Sequence, residues 1–516
     1  MPHQKTKHQP TFRLGLSKCC PVYNTPTMRL TACVILLSAG LSASGRNCDQ
    51  LASAPLGADV KIESAKLVAA SGNLPEHCDV RGTIWPEARF ALKMPTAWNN
   101  RFEMAGNGGW AGTISLPAVD SAMRQGYAAV STDTGHDARK EPDASFAYAS
   151  PANPHAARKL VDYGYLAVHE TARLSKEIIR EFYGTPARYS YWVGCSTGGR
   201  QGLMEAQRYP EDFDGYVIGA PVLYLTGLQM KSVWNYQVAG TGAGAIKAEK
   251  LPLLSQIVYK KCDSLDGLED GLIENPLLCE LDPETDLPPC TEDADGAGCF
   301  TKAQRSALKM IYDGPKDSHG RQFFPGMPPG GDGSVSGGFR LGESFMKFVA
   351  FDPPAGPSWD YRTFNLDTDP ARTARAALIV DAVIPDLTAV KMRGGKIVHY
   401  HGWADPGVSP KMSLEYFEAV SKIVGEAETR DFYRFFPVPG MFHCGGGPGC
   451  SDVDWLPAAV AWVEKGIAPE VLIGKHVDKG ETTRTRPICA YPAMAKYKGS
   501  GSIDAAESFS CAPASR

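Results

Sequence analysis

The distribution of apolar and polar residues along the chain predicts a sheet whose strands alternate with helices. Runs that alternate or stay apolar, as strands do, come first at Val60 to Ala70, Arg89 to Met94, Arg101 to Ala105 and Tyr127 to Thr132. From Asp162 to Phe182 the apolar side chains instead recur at helical spacing, and Gly184 supplies the stop. The first part of the chain is therefore predicted to form several strands and one long amphipathic helix.

The same alternation continues further along the chain. A β-favouring run at 190–193 leads into a helical pattern at 201–208, and the next predicted strand covers 214–221. After a long interruption three more elements follow, a strand from 396 towards 405, a helix at 411–424 and a strand at 432–437. Repeated strand and helix units are typical of an α/β protein with a parallel sheet and helices on both faces.

The interruption, at residues 223–375, is predicted to be an inserted lid. It is rich in glycine, proline and aspartate and contains four clustered cysteines. Its helical signals are scattered, at 251–261, 302–312 and 341–351. So long a stretch without a strand and helix unit indicates an insertion. We therefore expect a catalytic domain made of residues 45–222 and 376–516, with a lid domain between these two segments.

The N-terminus has the pattern of a secretory signal. Met28 and Arg29 precede an apolar run from Leu30 to Leu41, and small residues follow at Ser42 to Gly45. Residues 1–44 are therefore predicted to be a signal peptide with an N-terminal extension, and the mature protein to be secreted or periplasmic. The alternative is a buried N-terminal helix. The apolar run is too short to serve as a membrane anchor.

Length and charge narrow the class of protein further. At 516 residues the chain exceeds one ordinary core, which indicates either one large domain that carries a substantial insertion or two domains. The formal net charge is only -4, from 53 basic and 57 acidic side chains. This balance gives no reason to expect a nucleic acid or an anionic membrane as partner.

Export would place the cysteines in an oxidising compartment, where most of them should pair. Three of the 14 fall in the predicted signal segment, so an odd number remains. Spacing predicts four local pairs, Cys48 with Cys78, Cys262 with Cys279, Cys290 with Cys299, and Cys489 with Cys511.

The most specific catalytic pattern lies between Ser190 and Arg200. Residues 194–198 read Gly-Cys-Ser-Thr-Gly, a Gly-x-Ser-x-Gly motif between a predicted strand and a predicted helix. In a nucleophile elbow the strand turns so sharply into the helix that small residues must flank the serine, whose hydroxyl then stands exposed. The motif alone is weak in a chain with 53 glycines, and its position between strand and helix gives it weight. Ser196 is therefore the predicted nucleophile.

A serine nucleophile needs an imidazole to take its proton and a carboxylate to orient that imidazole. In α/β-hydrolases these groups occur in the order Ser, acid, His, with the acid and the histidine in loops after strands. Asp405 and His443 meet both conditions. His399 and His401, in the strand before the acid, and His136, in a polar loop, are alternatives for which a structural role is favoured.

Two backbone donors are predicted for the oxyanion that forms during acyl transfer. One is the N–H group of Thr197, directly after Ser196. The second is expected from the glycine cluster at 106–109, which follows a predicted strand, with Gly108 as the candidate. A plain tight turn is equally compatible with this cluster.

Two cysteines flank the predicted catalytic residues. Cys195 directly precedes Ser196, and Cys444 directly follows His443. A disulfide between them would join the two loops that must meet and hold the serine and the histidine in register. The alternative is that each cysteine pairs elsewhere. With the disulfide, Cys450 is the mature cysteine left unpaired.

Together these segments resemble the tannase and feruloyl esterase family of α/β-hydrolases. The resemblance rests on residues 132–136 (Thr-Asp-Thr-Gly-His), 194–199, 401–406 (His-Gly-Trp-Ala-Asp-Pro) and 443–444, and covers nearly all of the chain from residue 48. It implies the α/β-hydrolase fold with a lid and a serine carboxylesterase that works through an acyl-enzyme. The substrates it implies are small esters of aromatic acids, of the feruloyl or other hydroxycinnamoyl, galloyl or terephthaloyl type.

The lid of that family carries a calcium ion, and residues 263–272 match the segment that holds it. Three carboxylates lie in this glycine-bearing loop, at Asp263, Asp266 and Asp270. They can converge on a hard cation, with the carbonyls of Leu268 and Leu272 completing the shell. The residues alone are equally compatible with a solvated acidic loop, and the resemblance implies a structural Ca²⁺. No organic cofactor is expected.

Two other functions are compatible with the same fold. One is a secreted binding protein that has lost activity, against which the complete set of Ser196, Asp405, His443 and both flanking cysteines argues. The other is a serine peptidase, which would use the same groups on an amide instead of an ester.

Overall fold

The structure is a computed structural model and describes residues 45–332, 335 and 337–513. The predicted signal segment, residues 1–44, lies outside the described residues. The strands are β1 (Val60–Val68), β2 (His77–Ile84), β3 (Ala88–Pro95), β4 (Arg101–Ala105), β5 (Ala128–Thr132), β6 (Tyr189–Cys195), β7 (Gly215–Gly219), β8 (Lys396–Gly402), β9 (Tyr433–Val438), β10 (Val471–Asp478), β11 (Glu481–Cys489), β12 (Ala493–Tyr497) and β13 (Phe509–Pro513).

The α-helices differ widely in length, and those that pack on the sheet are among the longest. They are α1 (Leu116–Arg124), α2 (Ala156–Val161), α3 (Ala167–Tyr183), α4 (Thr197–Arg208), α5 (Leu225–Asn235), α6 (Leu251–Cys262), α7 (Pro283–Asp286), α8 (Lys302–Asp313), α9 (Phe339–Phe348), α10 (Asp369–Arg372), α11 (Ala374–Val380), α12 (Thr388–Met392), α13 (Pro410–Val424), α14 (Glu426–Arg430) and α15 (Trp455–Lys465). The long amphipathic helix predicted from Asp162 starts as a π-helical turn and continues as α3.

Nine strands form the central sheet, in the order β1-β2-β3-β5-β4-β6-β7-β8-β9. From β5 to β9 neighbouring strands run parallel, which confirms the α/β class. The first three strands are antiparallel to their neighbours, so the sheet is mixed at this edge. Short connections join β1, β2 and β3, and such connections permit antiparallel pairs only, because a parallel pair needs a long crossover.

The parallel strands bring the predicted site residues to one edge of the sheet. Cys195, at the end of β6, pairs with Gly219 of β7, and Gly219 pairs with Tyr400 of β8. The loops after these strands, and the loops after β4 and β9, therefore leave the sheet on the same side. Ligands of open α/β sheets bind at the carboxyl ends of the strands, which is where these loops meet.

The chain between β7 and β8 contributes no strand to the central sheet in its described part. It contains α5 to α12, including helices at the three places where the helical signals were predicted. Its apolar side chains, such as Leu228 and Phe345, belong to the same buried core as Trp192 of β6. The inserted segment is thus packed onto the sheet, and its boundaries as a separate lid domain stay a prediction.

Two small sheets complete the C-terminal part, one of β10 and β11 and one of β12 and β13. The disulfides of the structure are those expected from the sequence, Cys48–Cys78, Cys195–Cys444, Cys262–Cys279, Cys290–Cys299 and Cys489–Cys511. Cys450 is a buried free thiol. Over the residues that the structure describes, no helix combines the length and the apolar character needed to cross a membrane.

Candidate active site

Ser196 stands at a sharp turn between β6 and α4. Its backbone angles, φ 63° and ψ -121°, are unusual for a residue other than glycine, and its N–H donates to the carbonyl of Gly219 at 3.0 Å. The two flanking glycines are required by close approach. A Cβ atom on Gly194 would lie 2.6 Å from the carbonyl group of Gly198, and one on Gly198 would lie 3.0 Å from the oxygen of Asn107. This is the geometry of a nucleophile elbow.

His443 and Asp405 are joined by a short hydrogen bond. His443 lies in the loop after β9, and its Nδ1 atom is 2.6 Å from Oδ2 of Asp405, in the loop after β8. The other carboxylate oxygen of Asp405 accepts the N–H groups of Gly407 and Val408, each at 2.9 Å. These backbone donors fix the rotation of the carboxylate. With Nδ1 of His443 bonded to the carboxylate, its Nε2 atom is left for another partner.

The two groups of this pair shift the pKa of one another. Burial alone would raise the pKa of Asp405, but hydrogen bonds from His401 and His443 and the charge of these rings hold it well below its usual range. Burial also lowers the pKa of His443, and the hydrogen bond and charge of Asp405 outweigh this, so that the pKa is raised above its ordinary value. Asp405 therefore stays ionised and can stabilise a protonated His443.

Ser196 and His443 line one cavity of about 230 Å³. The ring of His443 is 34% exposed, whereas Asp405 is fully buried beneath it. Among the described residues, no hydrogen bond joins the hydroxyl of Ser196 to His443; such bonds are often long in unliganded enzymes. Most of the remaining wall is apolar. Its apolar or aromatic side chains are those of Trp110, Tyr163, Val222, Leu225, Leu228, Leu341 and Val408, and polar side chains come from Gln229 and Ser232.

The predicted oxyanion donors lie beside this cavity. Thr197 is the first residue of α4, where backbone N–H groups have no partner within the helix. Its hydroxyl donates to the carbonyl of Gly109 at 2.6 Å, which ties the glycine cluster to the helix. Gly109 lines the cavity and Gly108 does not. In the described chain neither Gly108 nor Gly109 donates its N–H to a backbone or side-chain acceptor.

A pair of buried amides that sequence reasoning missed holds the glycine cluster in place. Gln201 of α4 accepts the backbone N–H of Asn107 at 3.0 Å and donates to its side-chain oxygen at 3.0 Å. The amide of Asn107 in turn donates to the carbonyl of Thr132 at 2.8 Å. The only signal in the sequence was the asparagine within the glycine cluster.

The disulfide between Cys195 and Cys444 connects the elbow with the histidine loop. Its Cα atoms are 5.9 Å apart, and the two cysteines are 249 residues apart in sequence. Because each cysteine adjoins Ser196 or His443, the covalent bond limits how far these two side chains can separate.

The alternative histidines occupy other surroundings. His399 and His401 are fully buried beneath Asp405 and do not line the cavity. His136 stacks on Phe146, with ring centroids 4.0 Å apart, and burial lowers its pKa to about 4. It lines a separate, polar cavity of about 650 Å³ that contains neither the nucleophile elbow nor His443.

The segment predicted to hold calcium forms a tight acidic loop. Asp263 accepts the N–H of Gly271 at 2.9 Å, Asp266 accepts that of Leu268 at 2.9 Å, and Asp270 forms an ion pair with Arg486. Burial raises the pKa of Asp266 to about 6, and the neighbouring charges of Asp270 and Asp263 add to this. The carboxylates repel one another, and a bound cation would relieve that repulsion.

The donor set of this loop fits a large, hard cation. All of its candidate ligands are oxygens, from Asp263, Asp266, Asp270 and the carbonyls of Leu268 and Leu272. The three carboxylates are not within 4.8 Å of one another as a set. The fit to Ca²⁺ therefore rests on the chemistry of these oxygen donors and not on their spacing.

Comparisons with known proteins show which family this chain resembles. The sequence profile of the family described as tannase and feruloyl esterase matches residues 72–343 and 348–512. The chain is 33% identical to mono(2-hydroxyethyl) terephthalate hydrolase from Piscinibacter sakaiensis over 529 residues, which cover 87% of each protein. It is also 33% identical to a probable feruloyl esterase B-1 from Aspergillus terreus, covering 81% of this chain and 82% of that protein.

A solved structure gives the same result. Feruloyl esterase B from Aspergillus oryzae matches the fold with a TM-score of 0.82 at 26% identity, over 90% of this chain and 100% of that protein. The family profile covers β2 to β9 of the central sheet and most of the insertion, because it runs through residues 223–375 with one short gap. The chain belongs to the tannase and feruloyl esterase family of carboxylic ester hydrolases.

Proposed function

We propose that this esterase cleaves esters of aromatic acids through an acyl-enzyme, with Ser196 as nucleophile, His443 as base and Asp405 as its partner. The observation that carries the proposal is the 2.6 Å contact between His443 and Asp405, with the ring of His443 opening into the cavity that Ser196 also lines. The position of Ser196 at a strained turn before a helix adds to it.

In the first half of the reaction, Nε2 of His443 takes the proton of the Ser196 hydroxyl as its oxygen bonds to the ester carbonyl carbon. The carbonyl oxygen becomes an oxyanion, and the N–H of Thr197 and one from Gly108 or Gly109 stabilise it. Gly109 is favoured as the second donor, because it lines the cavity and Gly108 does not. The protonated imidazole then gives its proton to the departing alcohol, and the bond between the carbonyl carbon and that alcohol breaks.

In the second half, water attacks the acyl-enzyme while His443 again acts as base. The tetrahedral intermediate collapses, the bond to Ser196 breaks and the serine regains its proton from the imidazole. Asp405 stabilises the positive charge that His443 carries in both halves. The depressed pKa of Asp405 keeps this carboxylate ionised throughout the working pH range.

The walls of the cavity support an aromatic acyl group. Trp110, Leu228 and Leu341 provide flat or apolar surface, and Gln229 and Ser232, one turn apart on α5, provide polar groups. Relatives named as a feruloyl esterase and a terephthalate monoester hydrolase support a hydroxycinnamoyl, galloyl or terephthaloyl ester. Because α5 and α9 belong to the inserted segment, the lid would supply most of the contacts with the ring.

A structural Ca²⁺ in the lid is part of the same proposal. Asp263, Asp266 and Asp270 would hold it with the carbonyls of Leu268 and Leu272, and the ion would neutralise the excess charge of this loop. The loop is joined to the C-terminal sheets through the ion pair between Asp270 and Arg486. The ion therefore stabilises the attachment of the lid and takes no part in the chemistry.

Export of the protein is the third part of the proposal. The five disulfides support an oxidising compartment, and the signal pattern at 1–44 supports secretion or release into the periplasm. Sequencing the N-terminus of the protein recovered from the medium or the periplasm tests this. A mature protein that still begins at Met1 or Met28 would contradict it.

The catalytic proposal is tested with wild type, Ser196→Ala and the exposed control Ser71→Ala. Each is assayed on methyl ferulate, methyl gallate, a terephthalate monoester and ferulic acid amide. We expect wild type and the control to hydrolyse at least one ester and to leave the amide intact, with no turnover by Ser196→Ala above about a thousandth of the wild-type rate. Equal turnover by Ser196→Ala would remove the proposed nucleophile, and amide cleavage would favour a peptidase.

A further inference from the structure

A continuous chain of buried hydrogen bonds ends on the carboxylate of Asp405. Tyr433 Oη is 2.7 Å from Nδ1 of His399, and Nε2 of His399 is 3.0 Å from the hydroxyl of Ser413. The same hydroxyl is 2.7 Å from Nδ1 of His401, and Nε2 of His401 is 3.2 Å from Oδ2 of Asp405. All five residues are completely buried, with relative exposures of 0%.

With His401 neutral, the acceptors at one end of the chain fix the direction of every bond in it. Nε2 of His401 also lies 3.0 Å from the carbonyl oxygen of Val408, which can only accept, so this nitrogen carries a proton. In the neutral ring Nδ1 of His401 is then an acceptor, and Ser413 must donate to it. The Ser413 oxygen in turn accepts from Nε2–H of His399, whose Nδ1 accepts from Tyr433. Each donor therefore points towards Asp405.

Secondary structure explains why these groups meet. His399 and His401 are two residues apart in β8, so their side chains lie on the same face of the sheet. Ser413, in the first turn of α13, packs over that face between the two rings. Tyr433 begins β9 and pairs with Ile397 of β8, which places its hydroxyl beside the first histidine. The chain is built from elements that flank the acid loop, and none of its members lines the cavity.

We propose that His401 is a positioning residue for catalysis, which holds the carboxylate of Asp405 in the orientation that His443 requires. The inference rests on the proposed function, in which Asp405 orients His443. Oδ2 of Asp405 accepts hydrogen bonds from both histidines. His401 holds this oxygen from the buried side, and His443 contacts it from the side of the cavity. Ser413 acts one step further away, by keeping the proton of His401 on Nε2.

Other titratable groups lie around this chain, and they must be considered when the pH dependence of kcat/KM is interpreted. Lys231 of α5 is completely enclosed, and burial lowers its pKa to about 8, against the opposing attraction of Asp405. Its ammonium contacts the sulfur of Met327 at 3.4 Å and forms no ion pair within the described residues. Burial keeps the pKa of His399 well below its ordinary value, and a proton on His401 would lower it further, so the His399 ring stays neutral. Burial raises the pKa of Tyr433 well above its ordinary value, so its hydroxyl stays protonated, and His443 titrates on the cavity side of Asp405.

The test compares four variants with wild type for kcat, KM, the pH dependence of kcat/KM and melting temperature. His401→Leu removes the donor, His401→Gln keeps an N–H near the position of Nε2, and Ser413→Ala removes the group that fixes the tautomer. His77→Leu is the matched control, because His77 is 2% exposed and, among the described residues, its ring forms a hydrogen bond only with the carbonyl of Pro75. Ser196→Ala, measured alongside, reports separately on the proposed function.

We expect kcat of His401→Leu to fall about 10- to 100-fold at nearly constant KM, because a hydrogen bond to a charged group is lost. The acid midpoint of kcat/KM should rise, because the charge of Asp405, no longer shared with His401, acts more strongly on His443. His401→Gln should restore most of kcat and the wild-type midpoint. Ser413→Ala should show a smaller loss in the same direction, and His77→Leu should lower only the melting temperature.

Two results would overturn the proposal. The first is that the His401 and Ser413 variants fold and have reduced melting temperatures, but keep the wild-type kcat and the wild-type acid midpoint of kcat/KM. The other is a loss in His401→Leu that His401→Gln does not restore. Should His401→Leu fail to fold, Ser413→Ala and His401→Gln decide the question by the same measurements. An active Ser196→Ala would instead refute the proposed function.

Discussion

Cys195 and Cys444 are bonded to one another although 249 residues separate them, and their Cα atoms lie 5.9 Å apart. Each adjoins one of the proposed catalytic residues, so the disulfide ties the elbow after β6 to the loop after β9. The third member, Asp405, is held differently, by two backbone N–H groups and two histidines. A covalent bond thus fixes the relation between serine and histidine, and hydrogen bonds fix the acid.

Removal of this disulfide should lower activity as well as stability. In the double variant Cys195→Ser with Cys444→Ser, we expect unfolding free energy to fall by about 2–5 kcal/mol. The loss of kcat should be larger than stability alone explains, because the two loops can separate under conditions where the protein remains folded. Denaturant titration and kcat at 25 °C measure the two effects.

The matched control is Cys489→Ser with Cys511→Ser, which opens the disulfide between β11 and β13. It should lose stability and keep the wild-type kcat. If both double variants lose stability and neither loses kcat, the bond between Cys195 and Cys444 has no role in the alignment of the site.

Asp405→Asn should affect turnover more than binding. An amide cannot stabilise the protonated ring of His443 and favours the wrong tautomer, so we expect kcat to fall by about 10⁴-fold with a small change in KM. Asp452→Asn serves as the control, since Asp452 is an exposed carboxylate in the loop that follows His443. Comparable rates for Asp405→Asn and wild type would assign the acid to another residue.

The pH dependence of kcat/KM follows from the pKa of His443. Burial lowers this pKa, but the hydrogen bond and the charge of Asp405 raise it by more than burial lowers it. The pKa of His443 therefore lies above the ordinary value. Only the neutral ring can take the serine proton, and activity must therefore fall as the pH drops through this raised pKa. We expect the acid midpoint above about 6.5 in wild type and a lower midpoint in Asp405→Asn. A wild-type midpoint well below that value would contradict the geometry.

Chelation of calcium should destabilise the protein without altering the chemistry. We expect EDTA to lower the melting temperature of wild type and added Ca²⁺ to restore it, because an ion that only the folded state binds would stabilise that state. Asp266→Asn should start from the lower melting temperature and respond to neither reagent. Glu269→Gln, in the same loop and exposed, should behave as wild type. A melting temperature of wild type that EDTA does not change would argue for a solvated acidic loop.

A buried carboxyl group away from the site makes stability depend on pH. Glu103 of β4 is 6% exposed, and loss of solvation raises its pKa to about 8. Between its usual pKa and 8 the unfolded chain gives up this proton while the folded protein keeps it. Stability attributable to Glu103 therefore falls as the pH rises through this window.

Glu103→Gln should remove that dependence. At pH 8 we expect the variant to be more stable than wild type by at least about 1 kcal/mol, with little difference at pH 5. Urea unfolding at both pH values checks this. If Glu103→Gln is less stable than wild type by the same amount at pH 5 and at pH 8, the carboxyl group of Glu103 instead makes a hydrogen bond that the amide cannot replace.

Much of the site could be read from the sequence because its signals are local. The elbow needs an apolar run, two glycines around a serine and a helical pattern, and all of these lie between Ser190 and Arg208. The order of Ser196, Asp405 and His443 and the cysteines beside two of them are also visible in one dimension. The outlines of β4, β5, β8 and α13 agree with the predicted elements to within a few residues, since the strands are buried along almost their whole length and α13 buries one face at helical spacing.

The tertiary structure alone decided which distant groups meet. The antiparallel edge of the sheet, the bond of Gln201 to Asn107, and the path from Tyr433 through Ser413 to Asp405 join residues whose neighbours in sequence give no sign of the contact. The strand β10 was missed although residues 471–473 are apolar, because only one of its eight positions is buried and its residues do not alternate between apolar and polar as in a half-buried strand. Local periodicity and motif order are set by the chain itself, whereas the composition of the cavity and the support of Asp405 depend on how separate elements pack.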